Sequence, residues 1–151
     1  CEAATLADAE ALCAKRGVRL TKLRRQVLAV LASGHRPLGA YEVMDRLAGD
    51  GPRPAPITVY RALDFLMENG LVHRLATRNA YLACLHNHGL NDSVVFLICE
   101  RCGVAGEASS PAVREALAAA AGEAGFTPHT PVVEISGLCA HCRAAAGSRS
   151  A

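Results

Sequence analysis

Apolar residues recur every three or four positions through the first seventy residues of this chain, then shift to short runs of strand length. The first pattern predicts helices. One runs from about Thr5 to Arg16 and ends at Gly17 as its C-terminal cap. Thr21 then N-caps a second, KLRRQVLAVLASG, whose Leu23, Val27, Leu28, Val30 and Leu31 share a broad face before Gly34 stops it. A third, AYEVMDRLAG, offers Val43, Met44 and Leu47 to a core and stops near Gly49. The Gly and Pro of GDGPRPAP mark a loop. In the fourth helical stretch, ITVYRALDFLMENG, Thr58 is the expected N-cap, Gly70 the residue beyond the C-cap, and Leu63, Leu66 and Met67 the inner face.

Past Gly70, LVHRLA and AYLACL read as two strands of a hairpin turned at Thr77, Arg78 and Asn79. Helices followed by such a hairpin outline a winged helix-turn-helix. Residues 93–98, SVVFLI, predict a further strand. SSPAVREALAAAAGEAG predicts a helix capped by Ser110 with Pro111 in its first turn, and VVEISGL one more strand. The fold class expected is α+β. This ββαβ-like remainder is small for an independent core, so it should need a metal, a partner or both.

At 151 residues, 51% hydrophobic and 20% charged, the chain has the composition of a folded protein, not a disordered one. Its apolar runs are too short to span a bilayer, which excludes a membrane helix. The opening CEAATLADAEALCAKRG carries acids where an export signal needs basic residues, so a reducing, cytoplasmic setting is expected. There, seven cysteines point to metal ligands or thiols before disulfides. The net charge of +2 hides an asymmetry: Lys15, Arg16, Arg19, Lys22, Arg24 and Arg25 follow one another with no acid between them. Such a cluster suits a phosphate-binding face, although a solvated helix end has the same look.

Two motifs concentrate the chemistry. Cys99-Glu-Arg-Cys102 and Cys139-Ala-His-Cys142 supply four thiolates, the donor set of a closed tetrahedral structural zinc site, with two disulfides as the competing reading. The 36 residues between the pairs hold a helix and a strand of their own, so the site would tie together two edges of a small domain. A looser set, His73, Cys84, His86, His88 and Glu107, lies around the joint between the helical and β halves. Its mixed donors suit zinc, yet on spacing alone these are as readily surface or core side chains. In the fourth helix, Thr58, Tyr60 and Arg61 occupy the positions from which a helix-turn-helix reaches base edges, though an ordinary polar outer face has the same pattern.

The segments RGVRLTKLRRQVL, AYEVMDRL and PITVYRALDFLMENGLVHR, with both CxxC pairs and ISGLCAHC, resemble the ferric uptake regulator family over essentially the whole chain. RALDFL and ISGLCAHC are most similar to its zinc-sensing branch. The resemblance implies a homodimer with a winged-helix DNA-binding domain at 1–84, a hinge loop at 85–92, an α/β dimerisation domain at 93–144 and a disordered tail at 145–151. It implies two zinc ions per subunit. Cys99, Cys102, Cys139 and Cys142 correspond to the structural site, and His73, Cys84 and Glu107 to a regulatory one. The family's remaining regulatory ligand is a His where direct alignment places Asp92; His88, with His86 as the other alternative, stands in the same loop and is preferred because its distance from Cys84 lets the chain turn back. Tyr41 and Arg61 correspond to base-reading residues, supported by Thr58 and Tyr60, while Lys15, Arg19 and Lys22 suit phosphates.

The function implied is a zinc-responsive repressor of zinc-uptake genes, acting on a two-fold symmetric operator with zinc as co-repressor, and not an enzyme. The rivals are another metal sensor of the family, a peroxide or thiol redox sensor, and a zinc hydrolase. The last lacks an HExxH or His-x-Glu motif beside its cysteines. Cys13, on the apolar side of the first helix with Leu6, Ala9 and Leu12, reads as a small core residue and not as a redox centre.

Overall fold

The computed structural model describes residues 2–84, 94–128 and 132–147. The chain divides into two compact units, Cys1–Asn87 and His88–Ala151.

The first unit holds four helices, α1 (Glu2–Lys15), α2 (Lys22–Ala32), α3 (Ala40–Ala48) and α4 (Pro56–Glu68), then β1 (Val72–Leu75) and β2 (Ala80–Ala83). Thr21 caps α2 as expected, its hydroxyl accepting the Arg24 N–H at 3.5 Å. Val27, Leu28 and Leu31 of α2 meet Val43 and Met44 of α3, Val59, Leu63 and Leu66 of α4, and Leu6, Ala9 and Cys13 of α1 in one core. Cys13 is thus a packing residue. Leu23, Val30, Leu47 and Met67 pack against the margin of this core, half-buried, on the faces expected of them.

One boundary differs from expectation. Helix α4 begins at Pro56 with Ala55 as N-cap, so Thr58 lies inside the first turn and is not the cap. Proline has no N–H to lose and its φ is already helical, which favours it at the opening position. The far end of α4 is closed by Gly70 at φ 70°, whose N–H bonds Met67 O at 2.9 Å while Leu71 N–H bonds Leu66 O at 2.9 Å. This turn feeds the chain directly into β1. The antiparallel pairing runs from Val72 opposite Ala83 to Leu75 opposite Ala80, and a single 3₁₀ turn, Ala76–Arg78, joins the strands. Leu38 pairs with Tyr81 on the outer side of the hairpin. The result is a winged helix.

The second unit comprises β3 (Val94–Cys99), β4 (Ala105–Ala108), α5 (Pro111–Glu123), β5 (Val132–Gly137) and α6 (Ala140–Gly147). The sheet order is β4-β3-β5, with β4 antiparallel and β5 parallel to the central β3. Phe96 is fully buried at the centre, flanked by Val94, Val95 and Ile98. Ser110 caps α5, accepting the Val113 N–H at 3.4 Å. Helix α6 continues to Gly147, into the stretch from 145 read as a tail, because Ala144, Ala145 and Ala146 are strong helix formers. Residues 148–151 and the whole of the 85–92 loop lie outside the described residues.

Candidate metal centres and nucleic-acid face

Parallel pairing of β3 with β5 places the C-terminal ends of both strands at the same edge, with Cys99 opposite Gly137. Each of those ends leads into a CxxC knuckle. Cysteines far apart in sequence are thereby brought together, and the four Sγ atoms of Cys99, Cys102, Cys139 and Cys142 all lie within 4.8 Å of one another. They are thiols, not disulfides. The first knuckle is held by Cys99 N–H to Val104 O at 2.8 Å and Gly103 N–H to Cys99 O at 2.9 Å. In the second, Cys139 caps α6, its sulfur accepting the Cys142 N–H at 3.4 Å. Arg101 crosses between the knuckles, donating to Cys142 O at 3.2 Å.

The geometry fits a zinc ion. Zinc–thiolate bonds of ~2.3 Å in a tetrahedron give sulfur–sulfur edges of about 3.8 Å, and Cys102 and Cys139 are 3.8 Å apart. A disulfide would require ~2.05 Å. The electrostatics agree. The Cys139 N–H, 3.4 Å from the Cys99 sulfur, is the largest influence bringing that thiol down to about 6. Burial, reinforced by the neighbouring sulfurs, pushes Cys142 up to about 12. Burial and the sulfurs around it thus oppose a thiolate at Cys142, a cost that a bound dication would offset.

The looser set separates by unit. His73 lies on β1 opposite Leu82, and Cys84 lies two residues beyond Leu82, so the two share a face of the hairpin as diagonal neighbours. Their ligand atoms are within 4.8 Å of one another. Cys84 is fixed there by its N–H bond to Leu71 O at 2.9 Å. Glu107 belongs to the second unit, on β4 opposite Phe96. His86, His88 and Asp92 lie outside the described residues.

On the first unit, α4 buries Val59, Ala62, Leu63 and Leu66 and turns Thr58, Tyr60 and Arg61 outward. Tyr41, in the first turn of α3, is 62% exposed. The basic cluster divides into two groups of different use. Arg16 donates to Asn69 O at 2.7 Å, tying α1 to the end of α4. Arg24 stacks on Phe65 of α4, 3.5 Å from the ring centroid, and donates to Arg19 O at 2.7 Å. Arg25 pairs with Glu10 at 2.7 Å. Lys15, Arg19 and Lys22 are exposed, and among the described residues their side chains make no hydrogen bond or ion pair. Ile57, in the first turn of α4, was absent from the candidates drawn from sequence. It is 61% exposed. Its helical phase, opposite Val59 and Leu63, was the signal that could have found it.

Residues 15–136 match the model of the Ferric uptake regulator family. The Zinc uptake regulation protein of Escherichia coli strain K12 is 41% identical over 138 residues, covering 91% of this chain and 80% of that protein. Among solved structures, a zinc uptake regulator complexed with zinc and DNA superposes with a TM-score of 0.90 at 36% identity, over 97% of each chain. The holo form of XcZur gives 0.84 at 45% identity, over 92% of this chain and 96% of that one.

Proposed function

This chain belongs to the ferric uptake regulator family, and we propose that it is a zinc-responsive, DNA-binding transcriptional repressor of zinc-uptake genes. The observation that carries the reading is a coincidence on one hairpin. The wing that completes the DNA-binding unit also holds the paired donors His73 and Cys84, so metal occupancy and DNA binding share a structural element.

In this reading each subunit takes two zinc ions. Cys99, Cys102, Cys139 and Cys142 hold a structural ion whose filled coordination leaves no open position for catalysis. His73 and Cys84 hold a regulatory ion together with Glu107 of the second unit and a further ligand from the connecting loop, His88 in preference to His86 or Asp92. Zinc supplies a cross-link between the units when bound, and the donors must shed their protons to receive it. The protein acts as a homodimer in the cytoplasm, on a two-fold symmetric operator. Supporting the dimer, Leu97, Val132, Ile135 and Leu138 of the second unit are exposed, and α5 buries none of its residues. No helix of the described residues is long and apolar enough to cross a membrane.

Arg61 and Tyr41 read base edges, Thr58 and Tyr60 support them, and Lys15, Arg19 and Lys22 meet phosphates. A hundredfold gain in DNA affinity on zinc binding corresponds to about 2.7 kcal/mol of coupling, within the range one ligand site provides. The test is zinc content and operator binding measured on the same samples before and after mild chelation. Mild chelation should remove one ion per subunit and most of the specific affinity together. Specific binding that persists after that loss would overturn the proposal.

A further inference from the structure

Helix α4 turns an isoleucine to solvent at a place where a solvated helix has no use for one. Ile57 is 61% exposed and follows Pro56 in the first turn. At about 3.6 residues per turn, Ile57 points nearly opposite the buried Val59, Leu63 and Leu66. Tyr60 and Arg61, three and four residues on, occupy the same outward face. A β-branched residue is a weaker helix former than Ala, Leu or Lys, so helix propensity does not account for it. Neither does packing within the first unit, whose core lies on the other side of α4.

We propose that Ile57 is a specificity-determining residue that packs against the 5-methyl group of a thymine. The inference rests on the DNA-binding reading of α4. Among base edges in the major groove, thymine alone presents a methyl group, and an aliphatic side chain is the natural partner for it. The outward face of α4 then carries two kinds of reader, Arg61 for a hydrogen-bonding base edge and Ile57 for an apolar one. Four helical residues advance about 6 Å, and base pairs are stacked ~3.4 Å apart. The thymine therefore lies no more than about two base pairs from the base read by Arg61.

The experiment uses the full chain loaded with zinc and a duplex that it enriches from a random-sequence library. Each thymine is replaced in turn by deoxyuridine, which removes the methyl and preserves pairing. At one thymine per half-site the replacement should weaken the native protein about fourfold, the yield of burying one methyl-sized group. Ile57→Ala should lose a similar factor on the thymine duplex and be indifferent to uracil at that position. The side chain is exposed and Ala is a good helix former, so a thermal melt should show Ile57→Ala as folded as the native chain. Losses from Ile57→Ala and from uracil that multiply independently at every position overturn the contact, even where Arg61→Ala still relaxes base preference. A library that yields no enriched sequence overturns the DNA-binding reading itself, and this inference with it.

Discussion

Arg61 and Lys22 carry the same charge on the same unit, yet different losses are expected on removing them. Arg61 projects from the outward face of α4, where a guanidinium can grip a guanine edge with two hydrogen bonds. Arg61→Ala should weaken specific binding by ~1–3 kcal/mol and relax preference at one base position per half-site. Equal loss on operator and random duplexes would remove Arg61 from base reading. Lys22→Ala should instead weaken all sequences alike and lower the slope of affinity against salt by about one. Arg24, two residues after Lys22 in the basic cluster, belongs to neither class. Its stacking on Phe65 and bond to Arg19 O make it a brace between α2 and α4. Arg24→Ala should cost about 0.5–1 kcal/mol of stability in urea titration while leaving the salt slope as it was; a reduced slope with unchanged stability would make it a phosphate contact. The sequence set Arg61 apart by its helix but showed the cations from Lys15 to Arg25 as one unbroken basic cluster. Their charge was legible, but the partners that sort them, Phe65, Asn69 and Glu10, are brought near only by helix packing.

Among the elements, the turn after α4 has the sharpest sequence requirement. Gly70 adopts φ 70° to close the helix and start the wing. Any side chain there strains the backbone, so Gly70→Ala should destabilise the first unit by ~1–2 kcal/mol, read as a lower urea midpoint at unchanged m-value. An unchanged midpoint would mean that the wing does not depend on this turn. Elements of this kind were legible in advance, because glycine, proline and helical periodicity are local signals. The four helices and the hairpin follow from them. What escaped are the elements set by non-local pairing. Strand β4, AGEA, has no apolar run of its own and is a strand because β3 pairs with it. Helix α6 was hidden in an alanine-rich stretch that resembles a tail until Cys139 caps it. The start of α4 was misplaced by three residues, Thr58 in place of Ala55 as the cap, because Pro56 reads equally as the end of a loop or the opening of a helix.

For the whole molecule, the two proposed metal centres should fail differently. The four-cysteine cluster was readable from spacing, since CxxC places two sulfurs on one knuckle. That both knuckles meet depends on the parallel register of β3 and β5, which no local pattern records. Cys102→Ser removes one corner of a cluster in a unit with few fully buried side chains, and structural zinc contributes about 10 kcal/mol or more of folding free energy. Aggregated, monomeric or unfolded protein is expected, and a native dimer with an unchanged melt would argue against a structural role. His73→Ala or Cys84→Ser should behave otherwise. Both residues hang from a hairpin whose core partners, Val72, Leu75, Leu82 and Ala83, are untouched by either change. Such variants should stay folded and dimeric and keep one zinc per subunit, because the four thiols at the ends of β3 and β5 are intact. They should lose the gain in operator affinity on adding zinc, since the wing then offers the ion one donor in place of two. The same reasoning ranks the loop candidates: replacing the true fourth ligand among His86, His88 and Asp92 shifts the zinc response to higher concentration, and replacing a bystander leaves it in place. Zinc titrations of operator binding, read beside metal content, separate these outcomes. His73→Ala or Cys84→Ser protein that still binds the operator in strict response to zinc would show that sensing resides away from the wing.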